Sequence, residues 1–394
     1  MDNFIFYSPT KFIFGKDTEK KAASLAKEYG ATKVLLLYGG NSALRSGLLA
    51  RVKRYLEEGK LPYIELGGVE PNPKDDLVYT GIDKVRDYGV DFILALGGGS
   101  VIDTAKAIAA GAVYDGDFWD FYSKKAVIKQ ALPLGTILTL AASGSEASDS
   151  SVITKKATME KRGSHADIIR PVFSILNPML TTTVPPDQTF YGVMDMMSHV
   201  LERYFSYTED VDLTSGMCEA VLSSIIFNAR ILLQRPRDYG ARANLMWAGA
   251  MAHSNILGVG RQQDWGSHSM GHELSSLYGS AHGATLAVVF PAWMRYALEH
   301  NSDITALAEL AINVWGAEFD GEDLKAAALA GIQLFLKYLQ ELGLPTTLEE
   351  LGGREEDIAA LTEKVVLRGN YVKLTRENVR EIYTLTLERN RLGQ

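Results

Sequence analysis

Seven histidines occur in 394 residues, and the spacing of four of them, with one aspartate, suggests metal chemistry. Asp195 and His199 lie four apart in TFYGVMDMMSHVLERYF. On a helix this puts both side chains on one face, one turn apart, a workable half-site for a divalent cation. His268 and His272 repeat the spacing in DWGSHSMGHELSSLYGSAHG, and His282 follows fourteen residues after His268. Along one straight helix fourteen residues span roughly 21 Å, too far to share an ion. Sharing therefore requires the chain to reverse, and Gly279 and Gly283 offer places for it. Asp195, His199, His268 and His282 would then make a site of one carboxylate and three imidazoles. Such ligands accept Fe²⁺, Zn²⁺, Co²⁺ or Mn²⁺. At this point His272 remains an alternative to His268. The pair His272-Glu273 begins like the HExxH zinc-protease motif, but position 276 is Ser.

A second group of residues suits a phosphate-bearing cofactor. Gly97-Gly98-Gly99-Ser100 stands between an apolar strand candidate and a helix candidate, with Asp103 in the first helical turn. Glycines there let backbone N–H groups approach phosphate oxygens, and a helix N-terminus favours the anion. The GxGxxG fingerprint is not present at this spot. Ser143-Gly144-Ser145-Glu146 follows another strand candidate, with Thr139 just before it, and offers small hydroxyls to a nicotinamide or diphosphate. Tyr38-Gly39-Gly40-Asn41-Ser42 follows the strand candidate at 33–38. An acid after such a strand binds the adenosine ribose and repels a 2′-phosphate. No acid follows directly here, and Ser42, Arg45 and an inward-folded Lys161 could serve a phosphate, so the reading leans to NADP(H). Each of these turns also has a plain structural reading as a tight polar turn.

The elements that must position these residues differ between the two halves of the chain. Strand candidates at 33–38, 62–66, 91–96, 133–140 and 171–176 alternate with helix candidates at 44–58, 74–88 and from Ser100 through Ala110. Nearly continuous apolar strands alternating with helices predict a parallel sheet covered on both faces. Beyond Pro185-Pro186, helical spacing runs through 187–235, 241–257, 289–315, 322–342 and 376–388, with no convincing strand. The expected organisation is an α/β dinucleotide-binding domain at 1–184 and an all-helical metal-binding domain at 185–394.

Composition excludes several classes. The formal net charge is −8 with no dense Lys/Arg run, which argues against nucleic acid and anionic membranes. Cys218 is the single cysteine, so neither an internal disulfide nor a Cys-rich zinc site is expected. The N-terminus lacks the pattern of a signal peptide, and no uninterrupted apolar run approaches the roughly 20 residues of a membrane span. The default expectation is a cytoplasmic protein.

Taken together, the chain resembles the iron-containing (group III) alcohol dehydrogenases, within them the butanol dehydrogenase and NADPH-dependent aldehyde reductase branch. The resemblance rests on EPNP at 70–73, GGGSVID at 97–103, SGSE at 143–146, NPML at 177–180, GVMDMMSHVLE at 192–202, DWGSHSMGHELS at 264–275 and HGATLAVVFP at 282–291. It implies a Rossmann-like N-terminal domain and an all-α C-terminal domain, the dehydroquinate synthase-like architecture. It implies metal ligands at Asp195, His199, His268 and His282, with Fe²⁺ or Zn²⁺ as the ion. It implies diphosphate contacts at Gly97, Gly98, Gly99 and Ser100, with Asp103, Thr139 and Ser143 on the cofactor side. Gly39, Gly40 and Ser42 would lie at the adenosine end. Gly40 stands where NAD-using relatives carry an Asp, and Lys161 matches a lysine that approaches the cofactor in the NADP(H) branch. His272 matches a histidine near the nicotinamide that is not a ligand, and as the catalytic residue it would belong to a proton path. Ser143 departs from the Thr of many relatives but keeps the hydroxyl. The resemblance also implies a homodimer acting on short-chain alcohols and aldehydes. Competing readings are an NAD-dependent polyol dehydrogenase, a dehydroquinate synthase-like lyase, which would need more basic residues than Arg261, and a non-catalytic metal- or nucleotide-binding protein.

Overall fold

In the computed structural model, residues 1–387 are described. They pack as two units. One comprises Tyr7–Val184 with Arg237–Ser254; the other comprises Met1–Phe6, Pro185–Pro236 and the described residues from Asn255 onward.

The first unit is built on eight strands: β1 (Lys11–Phe14), β2 (Val34–Gly39), β3 (Tyr63–Val69), β4 (Phe92–Gly97), β5 (Leu134–Leu138), β6 (Ser150–Lys155), β7 (Glu160–His165) and β8 (Phe173–Leu176). Its first six helices are α1 (Ala22–Glu28), α2 (Asn41–Arg45), α3 (Leu48–Glu58), α4 (Asp75–Tyr88), α5 (Gly99–Ala112) and α6 (Trp119–Tyr122). Six strands form one sheet in the order β1-β8-β5-β4-β2-β3, and every pair in it is parallel. Alternate residues feed opposite faces. Leu35, Leu37, Ile93, Ala95, Leu134 and Leu138 join one core with helices α4 and α5. Val34, Leu36, Phe92, Leu94, Leu96 and Ile137 join the other with α1 and α3. The strands therefore read as unbroken apolar runs because both faces are buried.

The strand order reverses between β2 and β4: β3 lies beyond β2 on one side and β5 beyond β4 on the other. In open parallel sheets, ligands bind outside the carboxyl ends of the strands at such a switch point. Tyr38 pairs with Leu96 there, so the glycines that end β2 and β4, Gly39 and Gly97, leave the sheet side by side.

The sequence reading missed α1 and α6 in this unit, as well as β1 and the hairpin β6–β7. β1 is an edge strand paired with β8, and its four residues are too short for a periodicity signal. The antiparallel hairpin β6–β7 is mostly polar, with Val152 and Ile153 its only apolar residues and adjacent, so it carries no apolar alternation. What holds it is α5. The Val152 N–H donates to Asp103 Oδ2 at 3.0 Å, and Ser151 Oγ donates to the Asp103 carbonyl at 2.8 Å. The fully buried Lys106 Nζ donates to the carbonyls of Ser145, Ser148 and Ser150 at 2.7–2.9 Å.

The second unit opens with α7 (Pro186–Tyr204), with Pro186 in its first turn where no N–H is needed. α8 (Asp212–Gln234) follows, so the expected helical run at 187–235 is broken over 205–211. α8 is the one described helix long and apolar enough to cross a membrane by length and composition, a feature that counting uninterrupted apolar residues overlooked. It packs on α7 and buries Cys218, Leu222, Ile225, Ala229 and Leu232, as a core helix of a helical bundle does. α9 (Tyr239–His253) was expected in the helical half but packs with the sheet unit. Met246 and Ala250 enter the sheet core, Trp247 stacks edge-on against Phe12 at 5.3 Å, and His253 Nε2 lies 3.1 Å from Ser150 Oγ. Met1–Phe6 in turn packs with the helical unit, where the Asp2 N–H donates to the Gly260 carbonyl at 2.8 Å. Then come α10 (Gly266–Tyr278), α11 (His282–His300), α12 (Thr305–Asn313), α13 (Leu324–Glu341), α14 (Asp357–Lys364) and α15 (Arg376–Leu385). The expected run at 289–315 is thus divided between α11 and α12, and residue 388 of the run at 376–388 lies outside the described residues.

Candidate functional site

In the helical unit the chain reverses between α10 and α11. Gly279 ends α10 at φ +67°, the left-handed cap that glycine takes without steric cost. Gly283 does something different from what its position suggested. It sits in the first turn of α11 against α7, where a Cβ would meet the Tyr191 carbonyl oxygen at 1.9 Å. Only glycine lets α11 approach α7 this closely, and Tyr191 is one helical turn before Asp195.

This packing brings three of the four expected ligands together. One ligand atom from each of Asp195, His268 and His282 lies within 4.8 Å of the others. Two donors each about 2.1 Å from a shared ion are at most about 4.2 Å apart, so adjustments of a few tenths of an ångström suffice. His199 stands beside this trio: its Nε2 is 3.6 Å from Asp195 Oδ1, and its ring centroid is 4.6 Å from that of His268. His272 lies outside the trio, with its ring 4.9 Å from His282 and 6.4 Å from His268. Asp195, His199 and His268 are buried, whereas His272 and His282 are half-buried, so the cluster is open on the His282 side. One carboxylate with neutral imidazoles is a donor set suited to a divalent transition metal, and the residues present fit one.

Sequence reading assigned no role to two buried acids around this cluster. Glu202, three residues after His199, is fully buried. Its Oε1 accepts from His268 Nδ1 at 2.7 Å and from the His268 backbone N–H at 2.9 Å, and its Oε2 accepts from the Trp265 N–H. Burial pushes its carboxyl up to about 7, with the N–H groups of His268 and Trp265 pulling the other way. Asp264 accepts from the Gly266 N–H and from the N–H groups of Asn370, Tyr371 and Val372, tying 370–372 to the start of α10. Burial raises Asp264 to about 7, and the Glu202 charge adds to that rise. The signal for Glu202 was its i, i+3 spacing from His199, which puts both on one helix face.

Arg261 is not placed to serve an anionic substrate. Its buried guanidinium donates to the carbonyls of Arg203, Tyr204 and Val211 and to the hydroxyls of Thr214 and Ser215, clamping the end of α7 to the start of α8.

In the sheet unit, the glycine turns gather at the switch point. The Thr139 N–H donates to the Gly97 carbonyl at 3.1 Å, and a Cβ on Gly99 would meet Ser143 Oγ at 2.4 Å. Gly97, Gly98, Gly99, Thr139 and Ser143 are thus neighbours, and Gly98-Gly99-Ser100 opens the fourteen-residue helix α5 with no side chain capping it. This is a cradle fit for a dinucleotide diphosphate. Gly40 and Ser42 are exposed beside it, and a Cβ on Gly40 would meet nothing within 4 Å. Lys161 folds inward on β7, 7% exposed, and its Nζ donates to Asn72 Oδ1 at 2.9 Å. Asp103 turns to the protein: besides the Val152 N–H it accepts from Ser145 Oγ at 2.6 Å. Burial raises its pKa against the opposing charge of Lys106. A separate cavity of about 210 Å³ lies beside the end of β3, lined by Glu70, Lys74, Asp76 and Lys156 among others, and none of the expected site residues lines it.

Comparison with known proteins gives a consistent result. Residues 9–178 match the family described as iron-containing alcohol dehydrogenase, and residues 189–387 match the C-terminal domain of the Fe-containing alcohol dehydrogenase family. The chain is 43% identical to the protein of Bacillus subtilis named probable NADH-dependent butanol dehydrogenase 2, over 98% of this chain and 100% of that one. It is 36% identical to the NADPH-dependent aldehyde reductase YqhD of Escherichia coli, over 94% of each chain. Among solved structures, NADH-dependent butanol dehydrogenase A of Thermotoga maritima superposes with a TM-score of 0.95 at 37% identity, covering 98% of this chain and 99% of that one.

Proposed function

This chain belongs to the iron-containing alcohol dehydrogenase family, and from that premise we propose that it interconverts short-chain alcohols and aldehydes of the butanol/butanal class with NADP(H). The observation that carries the reading is the convergence of Asp195, His268 and His282 from three helices, with His199 beside them. Asp195, His199, His268 and His282 would hold the metal, Fe²⁺ or Zn²⁺. Gly97, Gly98, Gly99, Ser100, Thr139 and Ser143 would hold the diphosphate side of the dinucleotide. When bound, the metal supplies Lewis acidity toward a substrate oxygen and the nicotinamide supplies or accepts the hydride. The half-buried His272 imidazole, beside the His282 ring, is the group that would pass a proton between the site and solvent. Asp103 acts at one remove, by holding Ser145 and β6.

For the cofactor, the exposed Gly40 leaves room for a 2′-phosphate, with Gly39, Ser42 and Lys161 as its candidate neighbours. A second reading, NAD(H), is favoured by the names of the Bacillus and Thermotoga relatives. The two are separated by Gly40→Asp, which adds a carboxylate in open space. It should lower kcat/KM for NADPH relative to NADH by at least about tenfold through repulsion of the 2′-phosphate. An unchanged NADPH/NADH ratio removes the argument from Gly40.

Oxidation of NADPH with butanal is the direct assay of the whole reading. Chelation should abolish it, and added Fe²⁺ or Zn²⁺ should restore it. Full turnover in a metal-stripped preparation overturns the proposed mechanism. We also propose a homodimer, because Phe4, Ile5 and Tyr7 expose 52, 95 and 56% of their surface in a continuous apolar arm that a second copy would cover.

A further inference from the structure

We propose that Glu202 is a positioning residue that acts through His268, setting the tautomer and the direction of that ring. The inference rests on the reading of His268 as a metal ligand.

Three donors converge on the one buried carboxylate. His268 presents both its backbone N–H and its ring Nδ1 to Oε1, at 2.9 and 2.7 Å, and Trp265 presents its N–H to Oε2. Both oxygens already accept backbone N–H groups, Oε1 from His268 and Oε2 from Trp265, so they face donors and the Nδ1 contact is assigned as Nδ1–H donating to Oε1. Nε2 is then the nitrogen with which His268 would coordinate. A carboxylate behind a ligating imidazole fixes ring orientation and raises the basicity of the far nitrogen.

The two backbone contacts give the carboxylate a second hold on the same ring. Trp265 and His268 lie at the N-terminus of α10, and Trp265 has φ +68°, a left-handed conformation uncommon for a bulky residue. Glu202 therefore caps α10 from another helix and receives the favourable end of its dipole. The Arg203 guanidinium over the Trp265 ring at 4.8 Å and the Trp265 Nε1–H donated to Gln263 hold the same turn. Glu202 departs from α7 on the face that carries His199. One side chain thus registers the helix bearing Asp195 and His199 against the helix bearing His268.

Glutamine is nearly isosteric with Glu202, but its amide group turns a donor toward either Trp265 or His268. In Glu202→Gln the metal-free protein should keep its helical circular dichroism, while its dissociation constant for Co²⁺, read from the visible absorption of the bound ion, should rise roughly 10–100-fold. The visible spectrum should also shift, because the ligand geometry changes. Glu202→Asp retains the charge and should recover part of the affinity. A Glu202→Gln protein that binds Co²⁺ as tightly as the wild type, with the same spectrum, overturns the proposal. A wild-type protein that binds no Co²⁺ at all overturns instead the reading of the metal centre. Should the variants fail to fold, ¹⁵N-histidine NMR of the metal-free wild type decides. The expected spectrum has His268 protonated at Nδ1 and bare at Nε2, and the opposite tautomer refutes the assignment.

Discussion

Replacing His268 by alanine should remove the metal and the turnover in the same step. Asp195, His268 and His282 supply the three ligand atoms that lie within 4.8 Å of one another, and His268 contributes the only one from α10. Without it, one carboxylate and one or two imidazoles from α7 and α11 would remain to hold an ion. The loss should exceed the roughly 10–100-fold that removing an outer partner costs. Metal content after anaerobic purification, measured beside butanal-dependent oxidation of NADPH, reads both effects. His272→Ala is the control with the same chemistry one turn away. Its ring is 6.4 Å from His268 and outside the trio. That variant should retain its metal while kcat falls by roughly 10²–10⁴-fold, the range of a lost proton-transfer group. A His268→Ala protein with a full complement of metal and wild-type kcat/KM would eliminate the proposed centre. Metal loss in His272→Ala would transfer the ligand role to that residue.

Gly283→Ala should have a comparable effect from a single methyl group. Its Cβ would lie 1.9 Å from the backbone oxygen of Tyr191 and 2.6 Å from the carbonyl carbon, and backbone cannot rotate aside as a side chain can. The two helices must part, at a cost of about 1–3 kcal/mol or more. Because Gly283 is next to His282 and Tyr191 is one turn before Asp195, the displacement falls on two ligands at once. A lowered melting temperature together with metal binding weakened at least about tenfold is the expected result. Melting temperature and Co²⁺ affinity both unchanged from wild type would mean that this contact does not set the site.

These two variants mark where the sequence was legible and where it was not. The parallel sheet could be read because both its faces are buried, so Val34–Leu37 and Phe92–Leu96 are unbroken apolar runs next to glycine turns. β6 and β7 could not, because apart from Ile153 in the core they are held largely by hydrogen bonds to Asp103 and Lys106 rather than by an alternating apolar face. α9 was assigned to the wrong neighbours for a related reason. Its helical period is plain, but nothing in that period says that Trp247 meets Phe12 and that Met246 enters the sheet core.

For the metal site, helical spacing paired Asp195 with His199 and His268 with His272 as potential donors, since i, i+4 is a local relation. It left His268 and His272 undecided and gave Glu202 no task. Those choices depend on distances of a few ångströms between helices, Glu202 and His268 for example being 66 residues apart in the chain. The close approach of α11 to α7 at Gly283 accompanies the grouping of Asp195, His268 and His282, and the Glu202 carboxylate lies against His268. Local periodicity determines which side chains share a helix face. Convergence on one ion is decided only when those faces pack, because coordination falls off within ångströms while sequence pattern repeats every turn.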